Sequence, residues 1–244
     1  MKVKVLASGS KGNVTYIEEN DTRILIDIGM RCCYVEEKLK EMNINPKDID
    51  AILITHIHND HTLGLNTFKK KYNPKVYMTK TMQQELNVDD VLYITKEMHI
   101  KEMHIKVFRT SHDVESYGYI INDELVYITD TGYINKKYFD VLSNKKIYIM
   151  ESNHDIEMLE TGPYPYHLKQ RIWSDKGHLS NEMSAEYLSK FIGNNTKVVV
   201  LAHLSETNNT EEKAYESFIS YDNNKKIEKV IFAKPKETTE LIEV

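Results

Sequence analysis

Residues 51–61, Ala-Ile-Leu-Ile-Thr-His-Ile-His-Asn-Asp-His, constrain this chain more than any other stretch. The apolar opening reads as a short buried strand. Directly behind it stand His56, His58, Asp60 and His61. Imidazole and carboxylate are what Zn²⁺ and its first-row neighbours prefer as ligands. A tight turn after a strand brings alternate side chains to one point. His56 and His58 can then share one ion, while Asp60 and His61 face a second beside it. The plainer alternative is a polar turn that holds three histidines by chance. Histidine is scarce here, ten in 244 residues, which weighs against chance.

The same arrangement returns along the chain. Strands are expected over 2–7, 14–18, 23–27, 51–55, 75–78, 91–94 and 104–109. A hairpin is expected at 117–121 and 125–129, turned by Asn122-Asp123-Glu124, with further strands at 146–150 and 197–201. Five of these are followed almost at once by His56, His112, Asp130, Glu151 and His203. In a layered α/β protein the strand ends gather at one edge, where sites are usually built. Helices are expected over 34–42, with Val35, Leu39 and Met42 inward, after Leu63, and over 80–86. Ser180 is read as the cap of a helix that buries Met183, Tyr187, Leu188, Phe191 and Ile192, and Thr210 as the cap of another. On this reading helices close the chain.

His56-x-His58-x-Asp60-His61, with Leu25-Ile26-Asp27-Ile28-Gly29 upstream, resembles the signature of the metallo-β-lactamase superfamily. The resemblance implies an α/β fold, a four-layer αββα sandwich with one or two metals at the edge of its two sheets. It is expected to span residues 1–244 as one domain. His112, Asp130 and His203 match the later metal motifs in order and strand context. His56, His58 and His112 are assigned to one ion, and Asp60, His61 and His203 to the other. Asp130 bridges both, since a carboxylate has two oxygens to offer. Zn²⁺ suits all-His/Asp ligation, with Mn²⁺ as the alternative. Two ions together would acidify a shared water and stabilise the charge that builds on a phosphate under attack. Asp60 would hold or deprotonate that water, and Asp27 would support the ligands from behind.

Glu151-Ser-Asn-His-Asp155 and Gly177-His178-Leu179-Ser180-Asn181 resemble two loops of the phosphodiesterase side of the superfamily, which includes tRNase Z. Carried over by position, His178 would protonate the departing oxygen and Glu151 would orient it. His154 falls beside that pair, either as a support or on the surface. Ser8-Gly-Ser-Lys-Gly-Asn13 can bring backbone N–H groups close to an anion, though such a string is more often a plain turn. Ser10, Asn13 and Ser180 are therefore candidate substrate contacts. So are Lys169 and Arg171, which interleave with Leu168, Ile172 and Trp173. The apolar three are expected to face a core and the two cations to face outward. Those strings, with Gly-Pro-Tyr-Pro165, Leu-Lys-Gln-Arg-Ile172 and Ala-His-Leu-Ser205, are similar to the YycJ/WalJ (VicX) branch. Its members are bacterial, cytoplasmic 5′→3′ DNA exonucleases linked to a cell-wall two-component system. Leu179 departs from the Gly-His-Ser-Thr form of tRNase Z, and the span from Asp130 to Glu151 has no room for a long tRNA-gripping arm. The resemblance thus implies a DNA exonuclease with a cytoplasmic location. Rival readings are an ester, thioester or β-lactam hydrolase, an RNA phosphodiesterase, or a non-catalytic regulatory metalloprotein.

Composition bounds this reading. With 41% apolar and 28% charged residues the chain is globular, and no apolar run reaches the ~18 residues of a membrane span. A net charge of −5 argues against a generic nucleic-acid coat protein. It leaves room for a nuclease whose bound cations supply local positive charge. Cys32 and Cys33 are adjacent and read as reduced thiols at a helix start. His99, His104 and His167 are read as structural or exposed.

Overall fold

The computed structural model describes residues 1–221 and 227–244. The chain divides into two compact units, residues 1–107 with 234–244, and residues 108–233.

In the first unit, strands β1 (Lys2–Ala7), β2 (Val14–Glu19) and β3 (Thr22–Ile26) form an antiparallel meander. Helix α1 (Cys32–Glu41) leads to strand β4 (Ala51–Leu53), the one-turn helix α2 (Asn59–Thr62) and helix α3 (Leu65–Tyr72). Strand β5 (Lys75–Met78), helix α4 (Lys80–Leu86) and strand β6 (Leu92–Tyr93) follow. Strands β3 to β6 run parallel. A hairpin of β7 (Glu97–Ile100) and β8 (Met103–Arg109) carries the chain onward. The last strand, β14 (Ile242–Glu243), returns to pair with β1, giving the order β14-β1-β2-β3-β4-β5-β6.

The second unit opens on the hairpin of β9 (Tyr117–Ile121) and β10 (Leu125–Ile128). Asn122 and Asp123 both take positive φ, 50° and 59°. That turn matches strand twist, and these two residue types tolerate it. Helix α5 (Phe139–Leu142), strand β11 (Ile147–Glu151), helices α6 (Ile156–Thr161), α7 (Tyr166–Trp173) and α8 (Asn181–Phe191), strand β12 (Val198–Ala202), helix α9 (Glu211–Ser220) and strand β13 (Lys229–Phe232) complete it. Strands β10 to β13 are parallel neighbours, and every residue of β10, β11 and β12 is buried. Continuous runs such as Val-Val-Val-Leu suit that setting, because a parallel sheet is covered on both faces. Ile128 pairs with Met150, and Met150 with Leu201, so the three strand tips end level. Asp130, Glu151 and His203 stand at those tips.

Several expectations need correction. Helices do not close the chain: β13 and β14 follow α9. Strand β7 has no apolar run to announce it, since Glu97-Met-His-Ile alternates with one face exposed. The buried stripe of α8 is Ser184, Ala185, Leu188 and Phe191. Met183 lies outside it and is exposed, and Tyr187 is half-buried. Trp173, expected in the core, is 41% exposed. Helix α7 buries Ile172 and half-buries Leu168, one turn apart, and Trp173 falls a further ~100° round the helix.

Candidate metal centre

In the first unit the parallel strands β3 and β4 place Asp27 and Thr55 at neighbouring tips. Asp27 is fully buried and takes φ 58°, a left-handed conformation that costs a non-glycine residue about 1–2 kcal/mol. Its Oδ1 accepts the Thr55 N–H at 2.8 Å, and its Oδ2 accepts the Thr55 hydroxyl at 2.8 Å and lies 2.7 Å from His61 Nδ1. Burial pushes the Asp27 carboxyl upward, against the His61 ring and the Thr55 hydrogen bonds that favour its ionised form. The Asn13 Nδ2 group, which can only donate, lies 2.9 Å from His61 Nε2, so Nε2 carries the lone pair and the His61 proton sits on Nδ1 toward Asp27. Thr55 Oγ1 lies 3.0 Å from His56 Nδ1, and His56 Nε2 lies 3.1 Å from His58 Nδ1. The His56 and His61 rings are 4.0 Å apart, and Asp60 Oδ2 is 3.7 Å from His61 Nε2.

The metal loop is held by close backbone approach. Gly29 packs so tightly that a β-carbon there would lie 1.6 Å from the Asp60 carbonyl oxygen. Asn13 is buried and sits against the same turn. Its N–H donates to the Asp60 carbonyl at 2.7 Å, and its Nδ2 lies 2.9 Å from His61 Nε2.

In the second unit Glu151 is the hub. It is fully buried at the end of β11. Oε1 lies 2.7 Å from His178 Nδ1 and 3.0 Å from His203 Nδ1. Oε2 accepts the N–H groups of Thr131 at 3.0 Å and Leu179 at 3.2 Å. Burial opposes its ionisation, but the His178 charge and the hydrogen bonds of His178 and His203 outweigh that and bring its pKa down to about 2. Both rings therefore carry their proton on Nδ1 and present Nε2. His112 does the same through another acceptor, its Nδ1 lying 3.2 Å from the Gly177 carbonyl. Asp130 Oδ1 lies 3.6 Å from His203 Nε2, 3.7 Å from His178 Nδ1 and 4.0 Å from His112 Nε2. One ligand atom each from Asp130, Glu151, His178 and His203 all fall within 4.8 Å of one another. Within that group Glu151 and His178 are bound to each other. Asp130 and the Nε2 atoms of His203 and His112 are donors of the kind a divalent cation takes, with the carboxylate or carbonyl behind each of those two rings fixing its tautomer.

The metallo-beta-lactamase superfamily profile matches residues 7–91. The Exodeoxyribonuclease WalJ of Streptococcus pneumoniae serotype 2 (strain D39 / NCTC 7466) is 38% identical over 236 residues, covering 90% of this chain and 87% of that protein. The Exodeoxyribonuclease YycJ of Bacillus anthracis is 36% identical over 223 residues, covering 86% and 84%. The chain belongs to the metallo-beta-lactamase superfamily, in its YycJ/WalJ-like branch. That branch is related to the tRNase Z-type phosphodiesterases. The crystal structure of the metallo-beta-lactamase fold protein YhfI from Bacillus subtilis superposes with a TM-score of 0.75, over 97% of this chain and 98% of that one, at 15% identity. The expected fold class is the one found, mixed sheets flanked by helices as in the superfamily's four-layer sandwich.

Within this superfamily member the remaining expected residues fall in distinct places. Ser10 is exposed in its turn, while Asn13 is buried against the metal loop with its amide engaged. Ser180 accepts the Met183 N–H and so caps α8. Arg171 is paired with Asp113, and Lys169 donates to the Glu160 carbonyl at 2.6 Å. The cations expected to face substrate are thus engaged within the unit. His154 is buried, and its Nδ1 lies 3.3 Å from Asn153 Oδ1. Burial lowers its pKa to about 4, so it stands neutral in the polar layer behind the site. His99 and His104 stack on each other across the β7–β8 hairpin. Both cysteines are free thiols, Cys32 buried and Cys33 exposed. No helix among the described residues is long and apolar enough to cross a membrane.

Sequence reasoning missed a layer of asparagines. Asn153 Nδ2 donates to the His203 carbonyl at 3.0 Å, holding a residue at φ 56°. Asn181 and Asn209 bond each other and reach Ser152. The one available signal was the polar string Ser205-Glu-Thr-Asn-Asn-Thr210, too hydrophilic for a plain strand-to-helix link and mostly buried at Ser205, Asn208 and Asn209.

Proposed function

We propose that this chain is a two-metal phosphodiesterase that degrades DNA from a 5′ end. The observation that carries the reading is the Glu151–His178 pair, 2.7 Å apart beside Asp130. A departing alkoxide from a phosphodiester needs a proton, and this pair is placed to deliver one. Support for DNA comes from the two relatives described above, 38% and 36% identical, both named as exodeoxyribonucleases.

In this proposal His56, His58, Asp60, His61, His112, Asp130 and His203 would be the ligands that hold the divalent ions. Divalent ions bound there supply positive charge to the phosphate oxygens and acidify water. The chain's own groups do the rest. Asp27 and Glu151 fix the tautomers of His61 and His203. Asp60, about a quarter exposed, takes a proton from the attacking water. His178 delivers a proton from Nε2 to the leaving oxygen, while ionised Glu151 keeps Nδ1 protonated. A general acid of this kind is worth about 10²–10⁴-fold in rate.

The test is to incubate the purified protein, loaded with Zn²⁺ or Mn²⁺, with end-labelled DNA, RNA, a chromogenic phosphodiester and nitrocefin. Cleavage of DNA is expected, with product lengths showing loss from the 5′ end. His178→Ala is expected to lose about 10²–10⁴-fold in kcat on DNA while retaining its metal content. Unchanged kcat in that variant would reject the proton-donor role. Hydrolysis of nitrocefin alone would reject the phosphodiesterase reading.

A further inference from the structure

Two clefts adjoin in the second unit. One, of about 430 Å³, is lined by Arg109, His112, Tyr133, Lys137, Tyr138 and Lys176 among others. The next, of about 540 Å³, shares Tyr133 and Asn135 with it and adds Lys136, Phe139, Met183, Tyr187 and Lys190. Both volumes lie in the ~300–1,000 Å³ range of sites for small organic ligands. Five cations and three carboxylates line the pair, in a chain whose net charge is −5. The carboxylates are engaged: Asp113 by Arg171, Glu115 by the Tyr117 hydroxyl and Glu186 by Lys190. Arg109, Lys136, Lys137 and Lys176 are all exposed and make no ion pair among the described residues. Aromatic faces lie between them, with Tyr133 37% exposed and the Lys137 ammonium 4.8 Å from the Tyr138 ring centroid. Unpaired cations interleaved with exposed rings are the chemistry that holds a single strand, the cations on its phosphates and the rings under its bases.

We propose that a single-stranded polynucleotide is held beside His112 by Arg109, Lys137 and Lys176, and continues past Tyr133 along the face of Lys136. The proposal rests on the phosphodiesterase reading and deepens it by giving the strand a path. Charge complementarity selects the occupant. An acidic chain repels polyanions over most of its surface, so a cluster of free cations opening on a candidate metal ligand concentrates a phosphate backbone there. The track also takes over the role that the sequence suggested for Lys169 and Arg171.

The experiment measures anisotropy of a fluorescein-labelled, hydrolysis-resistant phosphorothioate oligothymidylate of roughly 15 nucleotides, with an oligouridylate as the second arm. Metal-loaded protein is titrated at salt concentrations from about 50 to 200 mM. The triple variant Arg109→Ala/Lys137→Ala/Lys176→Ala is expected to bind at least ~10-fold more weakly, with a log–log salt slope shallower by about 2. Tyr133→Ala is expected to weaken binding by ~5-fold or more without changing that slope. A control with the same charge removed elsewhere, Lys40→Ala/Lys47→Ala/Lys75→Ala, should bind as wild type. Circular dichroism and zinc content should be unchanged in all variants. Equal losses in the two triple variants, wild-type affinity in the first, or no binding of either oligonucleotide by the wild type would overturn the track. If the wild type hydrolyses a chromogenic phosphodiester but the first triple variant still binds strands normally, the track fails and the hydrolytic reading stands. If binding is lost in that variant while the wild type hydrolyses no phosphodiester, the track stands and the hydrolytic reading fails.

Discussion

A carboxylate behind three of the site's imidazoles decides which nitrogen faces outward. Asp27 does this for His61, and Glu151 does it for both His178 and His203. Glu151 was legible in the sequence as the orienter of one histidine. Its second partner was not, because only the level ends of β11 and β12 bring His203 to the same oxygen. Asp27→Asn tests the principle with little change of volume. An amide in that pocket can turn its donor toward Nδ1, which favours the proton on Nε2 and removes the lone pair from the atom that would ligate. Zinc affinity, measured by competition with a chromogenic chelator, is expected to fall by about 10–100-fold, with the circular dichroism spectrum retained. Undiminished affinity would mean that Asp27 serves only to seat Thr55.

At the scale of elements, the site is written by one device used three times. A buried parallel strand ends, and the residue at its tip or the next but one turns left-handed: Asp27 after β3, Asp130 after β10 and His203 after β12, at φ 58°, 52° and 56°. Asp and His are among the non-glycine residues found there more often, and such outliers cluster at functional sites. The strand ends themselves were legible from apolar runs meeting an abrupt His, Asp or Glu. The left-handed turns were not, since no glycine marks them. Helix faces were read less well, because a stripe one position out of phase moves Met183 from core to surface. Close approach was also hidden: Gly29 looks like any loop glycine, yet the Asp60 carbonyl occupies the space of its missing side chain. Gly29→Ala should push the α2 turn away from Asn13. Overpacking of this kind costs about 1–3 kcal/mol, to be read from urea unfolding, and zinc stoichiometry should fall with it. Wild-type stability and stoichiometry together would show that the turn shifts without consequence.

For the whole molecule, charge is where composition and structure say different things. A net charge of −5 describes an acidic chain, but it hides carboxylates whose ionised form is built into the fold. Glu18 and Glu36 are both held below the usual carboxylate range. For Glu36 the cause is a trio of donors, Lys71 Nζ and Tyr72 Oη at 2.8 Å and Cys32 Sγ at 3.0 Å, which join α1 to α3 and bring its pKa down to about 2. The thiol answers in the opposite sense, burial and then Glu36 pushing Cys32 up to about 12. A carboxyl whose folded pKa lies below its unfolded value of 4.5 stabilises the folded state above pH 4.5. That contribution fades as the pH falls from 4.5 and is gone below about 2. Glu36→Gln keeps the shape and removes the titration. Its melting temperature should therefore lie below wild type at pH 6 to 7, and the gap should close as the pH is lowered through the window between about 4.5 and 2. Because Glu36 is a quarter exposed, solvent screens the pair and the gap at neutral pH is expected to be a few degrees, corresponding to about 1 kcal/mol or less. A gap that persists unchanged down to pH 2 would assign its effect to packing between α1 and α3 rather than to the charge.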